Sequence, residues 1–192
     1  MNSAHMRADE TLPLFRGDGG HESDGAGLAI RATVARCWLG SMLIAATATG
    51  ICAILLGDDP ASLHRDLADR FPKARMADAD ASLEQWAAKA IAFVEAPREG
   101  LAVPLDPRGT EFQLRVWQAL CEIPAGATAS YSDIAARLGA PREAYAVGEA
   151  CAANMIAVAI PCHRVVRKDG ALAGYRWGFW RKRALLKREG AR

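Results

Sequence analysis

The chain has 192 residues, of which 51% are hydrophobic and 24% are charged, and its formal net charge is +2. This balance is typical of one or two globular domains, and it excludes a wholly disordered chain, a collagen and a coiled coil. The five cysteines are an odd number, lie far apart and form no C-x-x-C pair, which argues against a disulfide framework and a zinc ribbon. They fit a reducing compartment.

Charge is distributed unevenly along the chain. Residues 162–192 include ten basic and two acidic residues, a net charge of +8, whereas the preceding residues carry a net charge of −6. Such asymmetry indicates a polyanionic partner such as nucleic acid. The alternative interpretation is a solvated helix face, and charge alone does not separate the two.

The first 27 residues are rich in Gly, Asp, Ser and His and lack periodicity, which predicts a flexible tail over residues 1–27. They contain no signal-peptide pattern. An uncharged run then extends from residue 37 to residue 57, long enough to suggest a membrane-spanning helix. Glycine, serine and threonine interrupt the run, which favours two buried strands over residues 42–47 and 51–56. Residues 28–35 are interpreted as a further strand.

Two helices follow these strands. The first begins at Asp59-Pro60, a capping acid followed by proline at the first helical position, and ends before Pro72. The second is indicated by apolar residues at helical spacing: Leu83, Trp86, Ala87, Ala90 and Val94. Strands followed by helices predict a small α/β domain over residues 28–98. The three prolines between residues 97 and 107 predict a linker over residues 99–108.

Residues 109–192 are predicted to form a helical domain. Capping-box patterns at Thr110-x-x-Gln113 and Ser130-x-x-Asp133 each predict the start of a helix. The second of these helices is short and ends at Gly139.

A further helix is predicted from Pro141 to Asn154, where Asn154 is interpreted as a left-handed terminator. Two short helices joined by three residues match a helix-turn-helix, although many αα-hairpins share this spacing. Small residues dominate the second helix of the pair. They indicate either close helix packing in the core or close approach to a nucleic-acid groove.

The main candidate for a reactive site is the pair Cys162-His163, which directly follows Pro161. A cysteine is an effective nucleophile as the thiolate, and an adjacent imidazole can accept its proton. Most Cys-His pairs are incidental, so the pair alone is weak evidence. A metal site would need partner ligands that the sequence does not supply nearby.

Four longer sequence motifs include this pair or lie elsewhere in the second half of the chain: Pro161-Cys162-His163-Arg164-Val165-Val166, Gly174-Tyr175-Arg176-Trp177-Gly178, Val116-Trp117-Gln118-Ala119-Leu120 and Ala150-Cys151-Ala152-Ala153-Asn154. Together they resemble the O6-alkylguanine-DNA alkyltransferases, and within that family the O6-specific half of the adaptive-response type. The resemblance covers residues 28–190. It implies a ribonuclease-H-like α/β domain followed by a helical winged helix-turn-helix domain.

The resemblance also implies a reaction, a suicidal methylated-DNA–protein-cysteine methyltransferase activity in DNA repair. Cys162 takes the alkyl group from O6-alkylguanine, with O4-alkylthymine as a second candidate lesion. His163 and water relay the thiol proton, and Glu189 orients the imidazole. The implied partner is double-stranded DNA, bound through its minor groove with the damaged base flipped out. No cofactor, metal or membrane is implied, and the expected protein is a monomer in the cytoplasm, associated with the nucleoid.

Further roles follow by position in the family pattern. Tyr131 corresponds to the tyrosine that crowds the phosphate during flipping, and Asn154 to the hinge between the recognition helix and the active-site strand. Tyr175 corresponds to the aromatic over the flipped base, and the Arg176 backbone N–H to a donor for the departing oxygen. The remaining predicted DNA contacts are Ala144, Tyr145, Gly148, Glu149 and Arg164.

Two of these positions depart from the family pattern. Tyr145 stands where the family has an arginine finger, and Glu149 stands where it has a small residue. Tyrosine can stack between bases but supplies no fixed positive charge, and a carboxylate beside phosphates weakens binding. The sequence therefore predicts weaker or differently selective DNA binding.

Two other functions stay open. One is a binding module that recognises damaged DNA without transferring the alkyl group, which the presence of Cys162, His163 and Glu189 disfavours. The other is a Cys-His hydrolase or a protein acting on free nucleobases, for which the sequence contains no recognisable oxyanion motif.

Overall fold

The computed structural model describes residues 24–191. The predicted tail over residues 1–27 therefore lies almost entirely outside the described residues. The first half of the described chain contains four strands and two helices: β1 Ala29–Cys37, β2 Gly40–Ala46, β3 Ile51–Gly57, α1 Pro60–Arg70, β4 Arg75–Ala77 and α2 Ala81–Glu95. The second half is mainly helical: α3 Glu111–Cys121, β5 Ala129–Ser130, α4 Tyr131–Arg137, α5 Ala144–Ala153, β6 Val165–Val166 and α6 Phe179–Glu189.

The first four strands form one sheet in the order β3-β2-β1-β4. The β1–β2 and β2–β3 pairs are antiparallel, and β4 joins the outer side of β1 in parallel. The prediction of two buried strands in the uncharged run is confirmed. These strands are β2 and β3, and both are buried along almost their whole length. Within residues 24–191, no helix is both long and apolar enough to cross a bilayer. The predicted mixed α/β class is confirmed, and β4 is a strand that the sequence analysis missed.

The helix α1 begins as its sequence predicts. The Asp59 carboxylate accepts hydrogen bonds from the backbone N–H groups of Ala61 and Ser62, and Pro60 occupies the first helical position. Leu63 and Leu67 lie one turn apart and are buried, so the helix packs its apolar stripe on β2 and β3.

The segment predicted as a linker is packed against the sheet. Leu105 pairs with Ile51 of β3 in a parallel bridge, and the Asp106 carboxylate is fully buried. One oxygen of that carboxylate accepts hydrogen bonds from the hydroxyl groups of Thr47 and Thr49, at 2.6 and 2.8 Å. The three prolines thus lie in or beside a connection that fastens the helical half to the β2–β3 turn.

Helices α3 and α4 begin at the two predicted capping boxes. Thr110 and Gln113 exchange side-chain and backbone hydrogen bonds at the start of α3, and Ser130 and Asp133 do the same at the start of α4. Each box satisfies two backbone donors that the first turn of a helix otherwise leaves unpaired.

Helix α5 begins at Ala144, so the prediction that it starts at Pro141 is wrong. The backbone N–H of Glu143 donates to the carbonyl of Ala140, which makes Pro141 the second residue of a tight turn. Proline suits that position as well as it suits the first turn of a helix, because both require its fixed φ. The two predicted helices α4 and α5 are present, with a longer connection between them than predicted.

Candidate active site

Asn154 ends α5 in an extended conformation, with φ of −61° and ψ of 125°. The prediction of a left-handed terminator is therefore wrong. The residue acts through its fully buried side chain: Oδ1 accepts the N–H of Ile156 at 2.8 Å, and Nδ2 donates to the Ile160 carbonyl at 2.9 Å and to Cys162 Sγ at 3.2 Å. This one amide holds both ends of the segment that leads from α5 to the nucleophile.

The segment 155–160, which follows the predicted hinge at Asn154, is buried and forms a compact turn, not a strand. Its single bridge joins Ile156 to Ile54 of β3. Val158 then adopts a φ of +66°, a left-handed conformation that is costly for a β-branched residue. The backbone N–H of Ala159 donates to the carbonyl of Ala157 at 2.7 Å, which closes the chain tightly around Val158.

Cys162 lies in a short 3-10 turn, Cys162–Arg164, directly after Pro161. Its side chain is 4% exposed, and burial raises the pKa of the thiol to about 11, although the Asn154 hydrogen bond opposes this effect. A cavity of about 270 Å³ opens onto the sulfur. It is lined by Tyr131, Gly148, Cys151, Ala152, Cys162, Gly174, Tyr175 and Arg176.

His163 faces the carboxylate of Glu189, and both side chains are fully buried. His163 Nε2 lies 2.8 Å from Glu189 Oε1, an arrangement that assigns the proton to Nε2. Nδ1 is then an acceptor, and it makes no hydrogen bond to any of residues 24–191. Burial lowers the pKa of His163, since it disfavours the imidazolium. The site thus holds a neutral imidazole with one free lone pair.

Arg164 completes this buried group. Its Nε and Nη2 atoms donate to Glu189 at 3.1 and 2.9 Å, and Nη1 donates to the carbonyl of Ile123. Burial alone raises the pKa of Glu189, but the hydrogen bonds from His163 and Arg164 outweigh it and lower this pKa to about 2. The guanidinium predicted to contact DNA is used inside the protein, where it keeps Glu189 ionised. A DNA contact through Arg164 stays a prediction.

Tyr131, Tyr175 and Arg176, three residues to which the resemblance assigns contacts with the base or phosphate, line the cavity. The Tyr175 ring packs edge-on against His163 and Trp177, with centroid distances of 6.3 and 5.2 Å. The Tyr175 hydroxyl is buried and has no hydrogen-bond partner within the described residues. Tyr131 is half-buried, and burial raises its pKa to about 12, so both phenols are neutral donors. Arg176 lines the same cavity.

The predicted DNA contacts on α5 lie around a second cavity of about 540 Å³ that shares Tyr131, Gly148 and Ala152 with the first. Among the large apolar side chains of the described residues, that of Tyr145 is the most exposed, at 80%. Glu149 is also exposed. Ala144 lines the same cavity, as do the exposed cations Arg167 and Lys168. The exposed face of α5 therefore adjoins the opening of the nucleophile's cavity.

Several contributors were missed by the sequence analysis. Cys151 and Ala152 line the nucleophile's cavity, and the only available signal was the small size of residues along α5. Lys182 is fully buried on α6, although it lies between two other cations in the sequence. The basic block is accordingly less exposed than its charge suggests, since Arg164, Arg181 and Lys182 are all buried.

Comparison with known proteins identifies the family of the chain. Residues 111–191 match the family model of the 6-O-methylguanine DNA methyltransferase DNA-binding domain. The chain is 49% identical, over 188 residues, to the bifunctional transcriptional activator/DNA repair enzyme Ada of Escherichia coli, covering 98% of this chain and 52% of that protein. A crystal structure of Mycobacterium tuberculosis O6-methylguanine methyltransferase is 34% identical with a TM-score of 0.64, and the match covers 84% of this chain and 93% of that one. The chain belongs to the 6-O-methylguanine-DNA methyltransferase family.

A crystal structure of Mycobacterium tuberculosis OGT in complex with DNA is a further match, 34% identical with a TM-score of 0.65, covering 84% of this chain and 92% of that one. The chain spans about half the length of the Ada proteins it matches. The matches to Ada and to the OGT–DNA complex extend well beyond residues 111–191 of the family model. Membership of the methyltransferase family is therefore supported by both halves of the chain.

Proposed function

We propose that this protein repairs DNA by moving the alkyl group of O6-alkylguanine to Cys162 in a single turnover. The observation that carries the proposal is the buried thiol held by Asn154 at 3.2 Å, beside the buried His163–Glu189 pair. Cys162 lines a cavity that adjoins the exposed face of α5.

The reaction is a displacement at the alkyl carbon. The base must leave the duplex, because its O6 atom is unreachable inside the stack. The Cys162 sulfur forms the new S–C bond as the C–O6 bond breaks, and the thiol proton passes through water toward His163 Nδ1. The guanine anion takes up that proton through water, and the repaired, neutral guanine remains part of its strand. The thioether is stable, so each molecule reacts once.

Donors in the cavity favour the transition state over the bound base. Negative charge develops on the guanine oxygen as the alkyl group leaves, and the backbone N–H of Arg176 is the proposed donor to it. The Tyr175 hydroxyl is buried without a described partner, and it is a proposed donor to the flipped base. Tyr131 is proposed to contact the displaced phosphate.

The proposed partner is double-stranded DNA approached from its minor groove by α5. The exposed cations Arg167 and Lys168, which line the same cavity as the exposed face of α5, support phosphate contacts. Tyr145 is proposed to stack in the space left by the flipped base. O4-alkylthymine is a proposed second lesion, and the protein is proposed to act as a monomer in the nucleoid.

The finer fold description is also part of the proposal. The sheet order β3-β2-β1-β4, with only β4 parallel to its neighbour, supports a ribonuclease-H-like arrangement for residues 28–98. Helices α4 and α5 beside the β5–β6 ladder support a winged helix-turn-helix for residues 109–192.

A second candidate function is a damaged-DNA-binding module with weak or altered transfer. Two observations favour it: burial raises the pKa of Cys162 to about 11, and α5 presents Tyr145 and Glu149 to the solvent. The intact group of Cys162, His163 and Glu189 argues for transfer, because a pure binding module has no use for it.

Mass spectrometry separates the two functions. The protein is incubated with a duplex that contains one O6-methylguanine, and intact and peptide masses are measured with an unmodified duplex as control. We expect a single added CH2 group on Cys162 and none in Cys162→Ser. Tight binding without an adduct would instead establish the binding module. Reaction with free O6-benzylguanine but not with DNA would point to an enzyme of free nucleobases.

A further inference from the structure

Lys182 on α6 is a buried cation that the proposed reaction does not use. Its side chain is fully buried, and its ammonium donates one hydrogen bond, to the carbonyl of Val165 at 2.6 Å. No carboxylate among residues 24–191 forms an ion pair with it. Glu189 lies on the same helix, but its oxygens are bonded to His163 and Arg164. An unpaired buried ammonium is costly, so its presence calls for a function.

The charge of Lys182 acts on the nucleophile's surroundings. It interacts electrostatically with Cys162 and His163 of the 3-10 turn and with Cys151 of α5. The Val165 carbonyl belongs to the residue that ends this turn, and the Val165 N–H donates back to the carbonyl of Cys162. The ammonium therefore holds the turn that carries the nucleophile. The Cys162 thiol is the group there that must become an anion during alkyl transfer.

We infer that Lys182 is a positioning residue whose fixed positive charge stabilises the Cys162 thiolate from behind the active-site turn. This inference rests on the proposed function for its biological meaning. The ammonium keeps its proton throughout: the thiol proton leaves through water toward His163, and the sulfur becomes negative next to Lys182. As the S–C bond forms and the C–O6 bond breaks, that negative charge moves to the guanine oxygen.

The directions of the pKa shifts agree with this pairing. Burial lowers the pKa of Lys182, while the neighbouring thiolates oppose the shift. Burial raises the pKa of Cys162, while the Asn154 hydrogen bond and Lys182 oppose that shift. Each group thus favours the charged form of the other, which is the behaviour of a coupled pair.

Three substitutions separate the charge of Lys182 from its hydrogen bond. Lys182→Met removes both and nearly keeps the volume, Lys182→Gln removes the charge but keeps a donor for Val165, and Lys182→Arg keeps the charge. If the charge matters, Gln behaves like Met and Arg retains most of the reactivity. If only the hydrogen bond matters, Gln behaves like the unsubstituted protein.

The readout is the rate at which iodoacetamide modifies Cys162, followed by peptide mass spectrometry at several pH values between 7 and 9. Peptide resolution is needed because the chain has five cysteines. We expect both neutral variants to react at least tenfold more slowly at each pH, since one pKa unit changes the thiolate fraction tenfold. Lys187→Met, an exposed change on the same helix, is the matched control and should react normally.

Thermal unfolding accompanies these rates. Replacing the unpaired buried charge with a neutral side chain that still bonds the Val165 carbonyl, as in Lys182→Gln, is expected to leave the melting temperature unchanged or higher, whereas a purely structural lysine loses stability. Normal iodoacetamide rates in folded Lys182→Met, or unfolding of both neutral variants, would overturn the inference. The assay needs no DNA, so it tests the inference separately from the proposed function. If the neutral variants react more slowly but the unsubstituted protein does not repair O6-methylguanine, only the proposed function is overturned.

Discussion

Asn154 is the residue on which the position of the nucleophile depends most directly. Its amide joins the end of α5, the tight turn at Val158 and the sulfur of Cys162 through three short hydrogen bonds. Sequence reasoning identified the position but assigned it the wrong conformation, because asparagine is common both in left-handed caps and as a buried hydrogen-bonding side chain. Only the fold decides which of these two properties is used.

Substitution of Asn154 by alanine leaves the Ile156 N–H unpaired in the core and removes one of the two hydrogen bonds that the Ile160 carbonyl accepts, the other coming from the Cys162 N–H. We expect the free energy of unfolding to fall by about 2–4 kcal/mol, and the rate of alkyl transfer to Cys162 to fall at least tenfold. Urea denaturation and single-turnover transfer from O6-methylguanine DNA measure the two effects. Gln118→Ala, on the exposed face of α3, is the control. Transfer at the normal rate in Asn154→Ala would show that the turn holds the sulfur without this amide.

At the scale of the element, α5 combines an apolar inner face with an exposed face that is unusual for a DNA-binding helix. Val147, Ala150 and Cys151 are buried, whereas Tyr145 and Glu149 face the solvent one turn apart. The helix thus presents an aromatic ring and a negative charge where a polyanion is proposed to bind. The positive charge comes from Arg167 and Lys168, on a neighbouring loop.

The double substitution Tyr145→Arg with Glu149→Gln changes this face by two charge units. We expect duplex DNA to bind at least tenfold more tightly at low salt, and the plot of log Kd against log salt concentration to steepen by about 1 for each additional phosphate that the protein neutralises. Fluorescence anisotropy over a salt series measures both quantities. Gln118→Arg on α3 adds a charge away from α5 and controls for net charge. Unchanged affinity in the double variant would mean that α5 does not meet the DNA backbone.

Local chemistry explains which elements were predictable from sequence. Helices α1, α3 and α4 begin at side chains that cap their own backbone, so a few neighbouring residues contain the whole signal. Helix α5 has no side-chain cap, and a turn competes for Pro141, so its start was misplaced. Strand β4 is three residues long and exists because it pairs with β1, which is a tertiary contact.

The residues of the candidate site also differ in how far the sequence predicts them. Cys162, His163 and Glu189 were identified from their resemblance to a family, and the structure brings them together. Arg181, Lys182 and Arg183 are indistinguishable as a basic run, yet the fold buries the first two and exposes the third. Burial of a cation depends on which helix face meets the core, and the run itself contains no sign of that.

For the whole molecule, the end of α6 is the point at which distant parts of the chain meet. Glu189 binds His163 and Arg164 through its side chain, and its backbone carbonyl accepts a hydrogen bond from Arg98 at 2.8 Å. Arg164 in turn reaches the carbonyl of Ile123 after α3. The active site and the packing of α6 against the helical half therefore depend on one ionised carboxylate, and the backbone carbonyl of the same residue joins α6 to Arg98.

This dependence predicts that acid destabilises the protein through the active site itself. The folded pKa of Glu189 is about 2, below its ordinary value of 4.5. The unfolded chain therefore takes up the proton first, and stability present above pH 4.5 is lost as the pH falls toward 2. The lowered pKa of His163 acts in the same direction, so its contribution begins to be lost below pH 6.5. The Glu189 shift corresponds to roughly 3 kcal/mol.

Urea denaturation between pH 7.5 and pH 3 measures this loss as a falling free energy of unfolding. Glu189→Gln removes the titrating carboxylate, so we expect its free energy of unfolding to fall less steeply as the pH decreases. At neutral pH we expect this variant to be less stable than the unsubstituted protein, because Arg164 is left buried without its counter-charge. Glu122→Gln, an exposed change outside the group, should keep the original profile. An equally steep fall in Glu189→Gln would place the acid sensitivity elsewhere in the molecule.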